Sequence, residues 1–126
     1  LPAAPAVRIS ETLLRFVEPI LRHVPDEAGV KATRSVVSLG VSVWNAEILD
    51  RAAGARGSFI DELRKQAALT PEPERTQVLQ FLDELIERKR THFASDRRLI
   101  GEFDVFDDGG GNWRIRAEAR MPPGGL

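Results

Sequence analysis

Apolar residues recur at steps of three and four along the first part of the chain, which is the spacing of one face of an α-helix. The stripe begins after Ser10, a residue type that commonly caps the N-terminus of a helix. Pro19 lies within the stripe and is expected to kink or divide the helix, because proline removes one helical hydrogen bond. The stripe consists of Leu13, Leu14, Val17, Ile20, Leu21 and Val24.

Two later segments have the same helical spacing. One begins at Ser58, another capping residue type, and the other extends over about residues 71–93. Within the longer segment, Glu84 and Arg88 are four residues apart, in the order that favours an ion pair on a helix. The sides expected to be buried are Phe59, Ile60, Leu63 and Ala67 in one segment and Val78, Leu79, Leu82, Leu85 and Ile86 in the other.

The segment between these helices, residues 28–53, fits two patterns. Apolar and small residues alternate over residues 35–44, as in a strand, whereas a stripe from Val30 to Ile48 has helical spacing. The apolar pattern continues through residues 44–49 without a turn signal. We therefore interpret the segment as one long central helix, with a strand at residues 35–44 as the alternative.

Glycines mark two features of this central helix. Gly54 and Gly57 are expected to end it, because glycine readily adopts the conformation that terminates helices. Gly40 lies in its interior, where glycine costs about 1 kcal/mol relative to alanine. A close crossing with another helix at Gly40 would explain why that cost is tolerated.

After residue 97 the pattern changes from helical spacing to alternation. Residues 99–105 and 113–121 alternate between apolar and polar positions, with the turn-forming run Asp-Asp-Gly-Gly-Gly-Asn at residues 107–112 between them. This order predicts an antiparallel β-hairpin. Its apolar face is expected to pack on the helices or on another chain, because an isolated hairpin is marginally stable in water. That face consists of Leu99, Phe103, Val105, Trp113 and Ile115.

The charges of the two strands favour one register. If Val105 faces Trp113, apolar residues meet on one face of the hairpin and opposite charges meet on the other. A shift that brings Val105 opposite Ile115 would set Glu102 against Glu118, two like charges. We therefore expect the first register.

Helices followed by strands predict an α+β fold, with about four helices in a bundle-like arrangement and a C-terminal antiparallel β-hairpin. The length of 126 residues is typical of a single domain. Within it we expect a loose lead-in at residues 1–7, a helical part at 8–95, the hairpin at 97–121 and a tail at 122–126.

Composition narrows the range of functions. The 18 basic and 19 acidic residues nearly balance, so no general attraction to nucleic acid or anionic membranes is expected. The chain has no cysteine, which excludes disulfides, thiolate catalysis and zinc sites that need sulfur and fits a cytoplasmic location. No apolar run approaches the ~20 residues that span a bilayer, so no membrane partner is expected. The chain has two histidines and no clear third ligand, so no metal site is expected. It also lacks phosphate-loop, calcium-loop and hydrolase motifs, so no cofactor is expected.

The basic stretch of residues 88–98 is one candidate site. A cluster of arginine and lysine could neutralise phosphates, with Phe93 stacking on a base. The alternative is structural, because cations are favoured at a helix C-terminus and Glu84, Glu87 and Asp96 are near enough to pair with them. The candidate residues are Arg88, Lys89, Arg90, His92, Arg97 and Arg98.

The hairpin is the second candidate site. Either edge of a two-stranded sheet could pair with a second copy of the chain or with an extended peptide. The second strand carries Arg114, Arg116 and Arg120 on one face.

Three functions are weighed on this basis. The leading hypothesis is a non-catalytic protein-interaction or regulatory module, which binds a protein partner or forms a homodimer through the hairpin or the central helix. Nucleic-acid binding through residues 88–98 is the alternative. A small enzyme with acid–base chemistry near Glu47 or His92 is the third, and it is not favoured because no recognisable catalytic motif is present.

Overall fold

A computed structural model of the chain describes residues 8–25, 29–52, 58–109 and 113–120. Four helices are followed by two strands, which confirms the predicted α+β fold. The predictions for the lead-in, for Gly54 and Gly57 and for the tail at 122–126 lie outside the described residues. The elements are α1 (Ile9–Leu21), α2 (Gly29–Ala52), α3 (Ser58–Ala68), α4 (Glu74–His92), β1 (Leu99–Asp107) and β2 (Trp113–Arg120).

Helix α2 is the centre of the fold. It is a single helix of 24 residues that packs against α1, α3, α4 and β1, so the strand alternative at residues 35–44 is wrong. Its buried positions lie on most sides of the helix rather than on one stripe, because a neighbouring element covers each side. They are Thr33, Val36, Val37, Gly40, Val41, Val43, Trp44, Ala46, Glu47, Ile48 and Asp50.

The predicted close crossing at Gly40 is present. A Cβ atom built on Gly40 would overlap Cγ1 of Val17 in α1, and both residues are buried. Beside this contact, the rings of Phe16 and Trp44 pack edge to face with centroids 5.2 Å apart. Glycine is therefore needed at this position because it lets the two helices approach closely.

Helix α1 differs from its prediction at the start and in its buried side. It begins at Ile9 with Arg8 as the N-cap, and no side chain caps it, so the prediction for Ser10 is wrong. Leu14 was expected to be buried but its exposed fraction is 38%. The stripe that is buried consists of Ile9, Thr12, Leu13, Phe16, Val17 and Ile20.

Pro19 does not divide α1, and the chain compensates for its missing amide. In an unbroken helix, residue 19 would donate to the carbonyl oxygen of Arg15, but proline has no N–H. Arg88 of α4 supplies that donor, with Nη2 2.9 Å from Arg15 O and Nε 3.0 Å from Phe16 O. No ion pair joins Arg88 to Glu84 among the described residues, because the guanidinium reaches across to α1 instead.

The N-terminus of α3 is capped from outside its own segment. The carboxylate of Asp50 in α2 accepts hydrogen bonds from the amides of Phe59 and Ile60, at 2.8 and 3.1 Å. The side chain of Ser58, the predicted cap, lies outside the described residues. Phe59 was expected on the buried side but its exposed fraction is 47%, whereas Ile60 and Ala67 are buried.

The hairpin forms in the register that the charge argument rejected. Val105 faces Ile115 and Phe103 faces Ala117, so the predicted pairing of Val105 with Trp113 is wrong. The register shifts by one residue between Ile100 and Phe103, where two residues of β1 stand opposite one of β2, as in a β-bulge. Ile100 and Val105 are five residues apart, so in a regular strand their side chains would point to opposite faces. Because of the bulge, both side chains are buried in the core.

The like charges that this register brings together cost little. Glu102 and Glu118 are both exposed, so water screens their repulsion. Glu102 also lies within the bulge, so it does not form a regular pair with Glu118. Burial of Ile100 and Val105 is worth more than that repulsion, at about 1.5–3 kcal/mol for each side chain. Helix α1 packs on β2 and α2 packs on β1, so the helices cover one face of the sheet.

Candidate functional site

Lys89 is the most deeply buried cation of the basic stretch, with 3% of its surface exposed. Its Nζ donates hydrogen bonds to the carbonyl oxygens of Phe93 and Asp96, at 2.5 and 2.7 Å. The ammonium also lies 4.1 Å from the ring centroid of Trp44, within cation–π range. The lysine therefore holds the turn after α4 against the central helix.

The environment of Lys89 disfavours its charged form. Burial lowers the pKa of its amine from 10.5 to about 8. The carboxylates of Asp96 and Glu47 raise this pKa and the guanidinium of Arg51 lowers it further, but both effects are smaller than that of burial. An amine with this pKa is partly neutral only above neutral pH.

Two carboxylates beside Lys89 are each paired with an arginine. Glu47, whose side chain is 7% exposed, accepts a hydrogen bond from Nε of Arg90 at 2.8 Å, and Nη2 of Arg90 lies 2.8 Å from the same carboxylate oxygen. Asp96 Oδ2 lies 2.6 Å from Nη2 of Arg98. Burial raises the pKa of Asp96, but its hydrogen bonds from the side chain and backbone of Arg98 lower it more. The same ion pair raises the pKa of Arg98.

The central helix fixes the start of β1 through two polar side chains. Trp44 Nε1 donates to the carbonyl oxygen of Arg98 at 2.7 Å. The amide of Asn45 both donates to Ile100 O and accepts from Ile100 N, each at 2.8 Å, so it binds the strand as a neighbouring backbone would. The connection between α4 and β1 is thus held at both ends.

A cavity of about 360 Å³ opens between the C-terminal turns of α2 and α4 and this connection. Among the cations in its lining, Arg51 is exposed and donates to the carbonyl oxygen of Ala94 at 3.2 Å. Arg97 is exposed, and no ion pair joins it to the described residues. We call this space the basic cavity; its lining is Glu47, Ile48, Arg51, Ala52, Lys89, Arg90, Ala94, Ser95, Asp96 and Arg97.

The hairpin has two edges that differ in how their backbone groups are satisfied. On β1, Asn45 occupies both backbone groups of Ile100, Arg34 donates to the carbonyl oxygen of Val105, and the Asp104 side chain accepts from the Val105 amide at 2.9 Å. Side chains therefore block this edge at two places. Within the described residues, the backbone of β2 has no hydrogen-bond partner other than β1.

The exposed face of β2 carries the three arginines predicted as candidates. Arg114 Nε lies 3.1 Å from Asp108 Oδ2, and the Arg116 guanidinium lies 5.8 Å from the centroid of Phe106. The side chain of Arg120 lies against Gly101, where a Cβ atom would meet it. These contacts hold the arginines on the sheet, and none of them involves the backbone of β2.

The structure thus separates the predicted site residues into four groups. Lys89, Arg90 and Arg97 line the basic cavity, whereas Arg88 and Arg98 serve contacts within the fold. His92 is exposed and does not line the cavity. The hairpin arginines, Arg114, Arg116 and Arg120, form a separate surface.

Sequence reasoning missed several residues that build these sites. It considered Glu47 as a group for acid–base chemistry, but the structure pairs Glu47 with Arg90, 43 positions away. It did not identify Arg34 or Asp50. Contacts of this kind join distant segments, so no local spacing could have indicated them.

Neither a metal centre nor a membrane-spanning helix is found within the described residues. No group of three or more histidine, cysteine, aspartate or glutamate residues within them is arranged to hold a metal ion. None of the helices described has the length and apolar character needed to cross a membrane.

No protein-family model matches the chain, and comparisons with curated proteins and with solved structures find no significant match. The function is therefore argued from the geometry alone.

Proposed function

We propose that this domain is a protein-interaction module that self-associates by adding strand β2 of one copy to strand β2 of another. The observation that carries the proposal is the contrast between the two edges of the sheet. Side chains block the β1 edge at Ile100 and Val105, whereas the β2 edge offers unpaired backbone groups along eight residues within the described structure. An uncovered edge of this length is a template for strand pairing.

The hairpin is a better interface than the central helix. The apolar side chains of α2 are used within the chain, against α1, α3, α4 and β1. By contrast, a groove of mixed apolar and polar lining adjoins the N-terminal end of β2, and Leu14 of α1, Trp113 and Ile115 are among its apolar residues. Partly exposed apolar residues beside an open edge favour association there.

In a β2–β2 pair, Glu118 of each copy can face an arginine of the other. With the two-fold axis of an antiparallel pair at Arg116, Glu118 of each copy would face Arg114 of the other, and the two Arg116 side chains would face each other. Two opposite-charge contacts then stand against one like-charge contact. With the axis at Ala117, Glu118 would face Arg116 instead, and Arg114 would face Arg120. Glu118 therefore meets an opposite charge in either arrangement, and symmetry makes that contact twice.

A charge-exchange experiment tests this arrangement. Wild-type protein is expected to be a dimer by light scattering on a sizing column at micromolar concentrations, and Glu118→Arg is expected to weaken it about tenfold or more. Adding Arg114→Glu or Arg116→Glu to that variant should restore the dimer, and the one that does so identifies the register. Circular dichroism would verify that each variant is folded.

A matched control and a clear contrary result complete the test. Glu62→Arg makes the same change on an exposed position of α3 and should leave the dimer intact. A wild-type monomer up to high micromolar concentration, or a Glu118→Arg variant that dimerises as well as wild type, would contradict self-association through β2.

Nucleic-acid binding remains a prediction with less support. Internal contacts engage Arg88, Lys89, Arg90 and Arg98, so fewer cations are available to phosphates than the sequence indicates.

A further inference from the structure

We propose that the basic cavity binds a small organic carboxylate, with the guanidinium groups of Arg51 and Arg97 holding its charged end. The inference is independent of the self-association proposed above, because the cavity lies at the C-terminal ends of α2 and α4 and not along β2.

The charge of the lining favours an anion. Four cations, Arg51, Lys89, Arg90 and Arg97, line the cavity together with the carboxylates of Glu47 and Asp96, which leaves an excess of two positive charges. The C-terminal turns of two helices meet here, and each contributes roughly half a negative charge. The excess exceeds that sum, so the lining remains positive.

Neither carboxylate of the lining needs Arg51 or Arg97. Glu47 is paired with Arg90, and Asp96 is paired with Arg98, which lies outside the lining. The guanidinium of Arg51 donates only to a backbone carbonyl among the described residues, and Arg97 lies exposed at the same opening. Two guanidinium groups without carboxylate partners can bind a carboxylate through paired N–H donors.

The remaining lining explains why the anion should be organic. Ile48, Ala52 and Ala94 supply the apolar part of the lining. A volume of about 360 Å³ holds more than an inorganic ion and fits a molecule with a small apolar body. An apolar wall beside a few placed charges is the usual composition of a small-molecule site.

The walls are held in place before any ligand binds. Lys89 fixes the turn after α4 through two carbonyl oxygens, and Trp44 fixes its far end through the carbonyl oxygen of Arg98. Little ordering is therefore needed on binding, which reduces its entropic cost.

Titration of the full chain with benzoate, followed by NMR of its backbone amides, tests the inference. Saturable shifts are expected at Ala52 and at residues 94–97. Arg97→Gln and Arg51→Gln should each weaken binding about tenfold or more, because each removes charge-assisted hydrogen bonds. Arg15 is an exposed arginine on α1 that does not line the cavity, so Arg15→Gln is the matched control and should bind benzoate as wild type does.

The contrary outcomes are equally specific. Absence of saturable shifts up to 20 mM benzoate, on the order of the weakest useful affinity, overturns the proposal. So does equal binding by wild type and both cavity variants. Inorganic phosphate is the second arm, and tighter binding of phosphate than of benzoate overturns the assignment of an organic carboxylate.

Discussion

Alanine at Gly40 should destabilise the protein, although alanine is the better helix former. A Cβ atom at this position would overlap Cγ1 of Val17, and Val17 is fully buried and β-branched, so it cannot turn away. Overpacking of this kind costs about 1–3 kcal/mol, and the gain in helix propensity offsets about 1 kcal/mol of it. Because the overlap is deep and the neighbour is stiff, we expect a net loss of about 1–2 kcal/mol in the free energy of unfolding.

The same substitution should stabilise a chain that carries Val17→Ala. Val17→Ala alone should lower the free energy of unfolding by about 1.5–3 kcal/mol, because less apolar surface is buried. It also leaves a space that the methyl group added at residue 40 can fill. In its background, Gly40→Ala should raise stability by about 1 kcal/mol, so its effect changes sign. Urea unfolding followed by circular dichroism measures all four chains, and Ser42→Ala on the same helix is a control expected to change little. If Gly40→Ala is neutral or stabilising in both backgrounds, α1 and α2 do not cross as closely as the argument requires.

Two further predictions concern the cations of α4. Arg88→Met should lower the free energy of unfolding by about 1–3 kcal/mol. The loss should be smaller in a Pro19→Ala background, because the new amide can donate to Arg15 O. Equal losses in the two backgrounds of a double-mutant cycle would show that Arg88 does not compensate for the proline. Burial lowers the pKa of Lys89 to about 8 in the folded chain, whereas the pKa in the unfolded chain is about 10.5. Between these pH values the unfolded chain holds this proton more tightly than the folded chain does. The free energy of unfolding should therefore rise with pH over this range. Lys89→Met should remove that rise in stability, as measured by urea unfolding at several pH values. An unchanged rise would refute its assignment to Lys89. The chain has no tyrosine or cysteine, so neither residue type titrates in this range.

The order and type of the elements could be predicted from the sequence because local periodicity reports them. Residues 71–93 predicted α4, which the structure places at Glu74–His92, and the change to alternation after residue 97 predicted the hairpin. Gly40 is the most informative single residue, since its cost within a helix implied a close contact before the partner, Val17, was known.

The register of the hairpin could not be predicted in this way. Charge pairing on the exposed face favoured Val105 opposite Trp113, but exposed pairs are worth only about 0.2–1 kcal/mol. The bulge before Phe103 lets Ile100 and Val105 both enter the core, and that burial outweighs the charges. Gly101 lies at this bulge, and an isolated glycine within a strand often marks one, but the register itself depends on what the helices present to the sheet.

The candidate sites show the same division. The sequence by itself determined the helices, the hairpin and the clustering of cations at residues 88–98, because each depends on neighbours within a few positions. Only the tertiary structure decided that Arg88 serves α1, that Lys89 is buried under Trp44 and that Arg97 remains at an open cavity. It also decided that Asn45 and Arg34 close one edge of the sheet and leave the other uncovered within the described residues. Such contacts depend on the packing of distant segments, and local spacing carries no record of that packing.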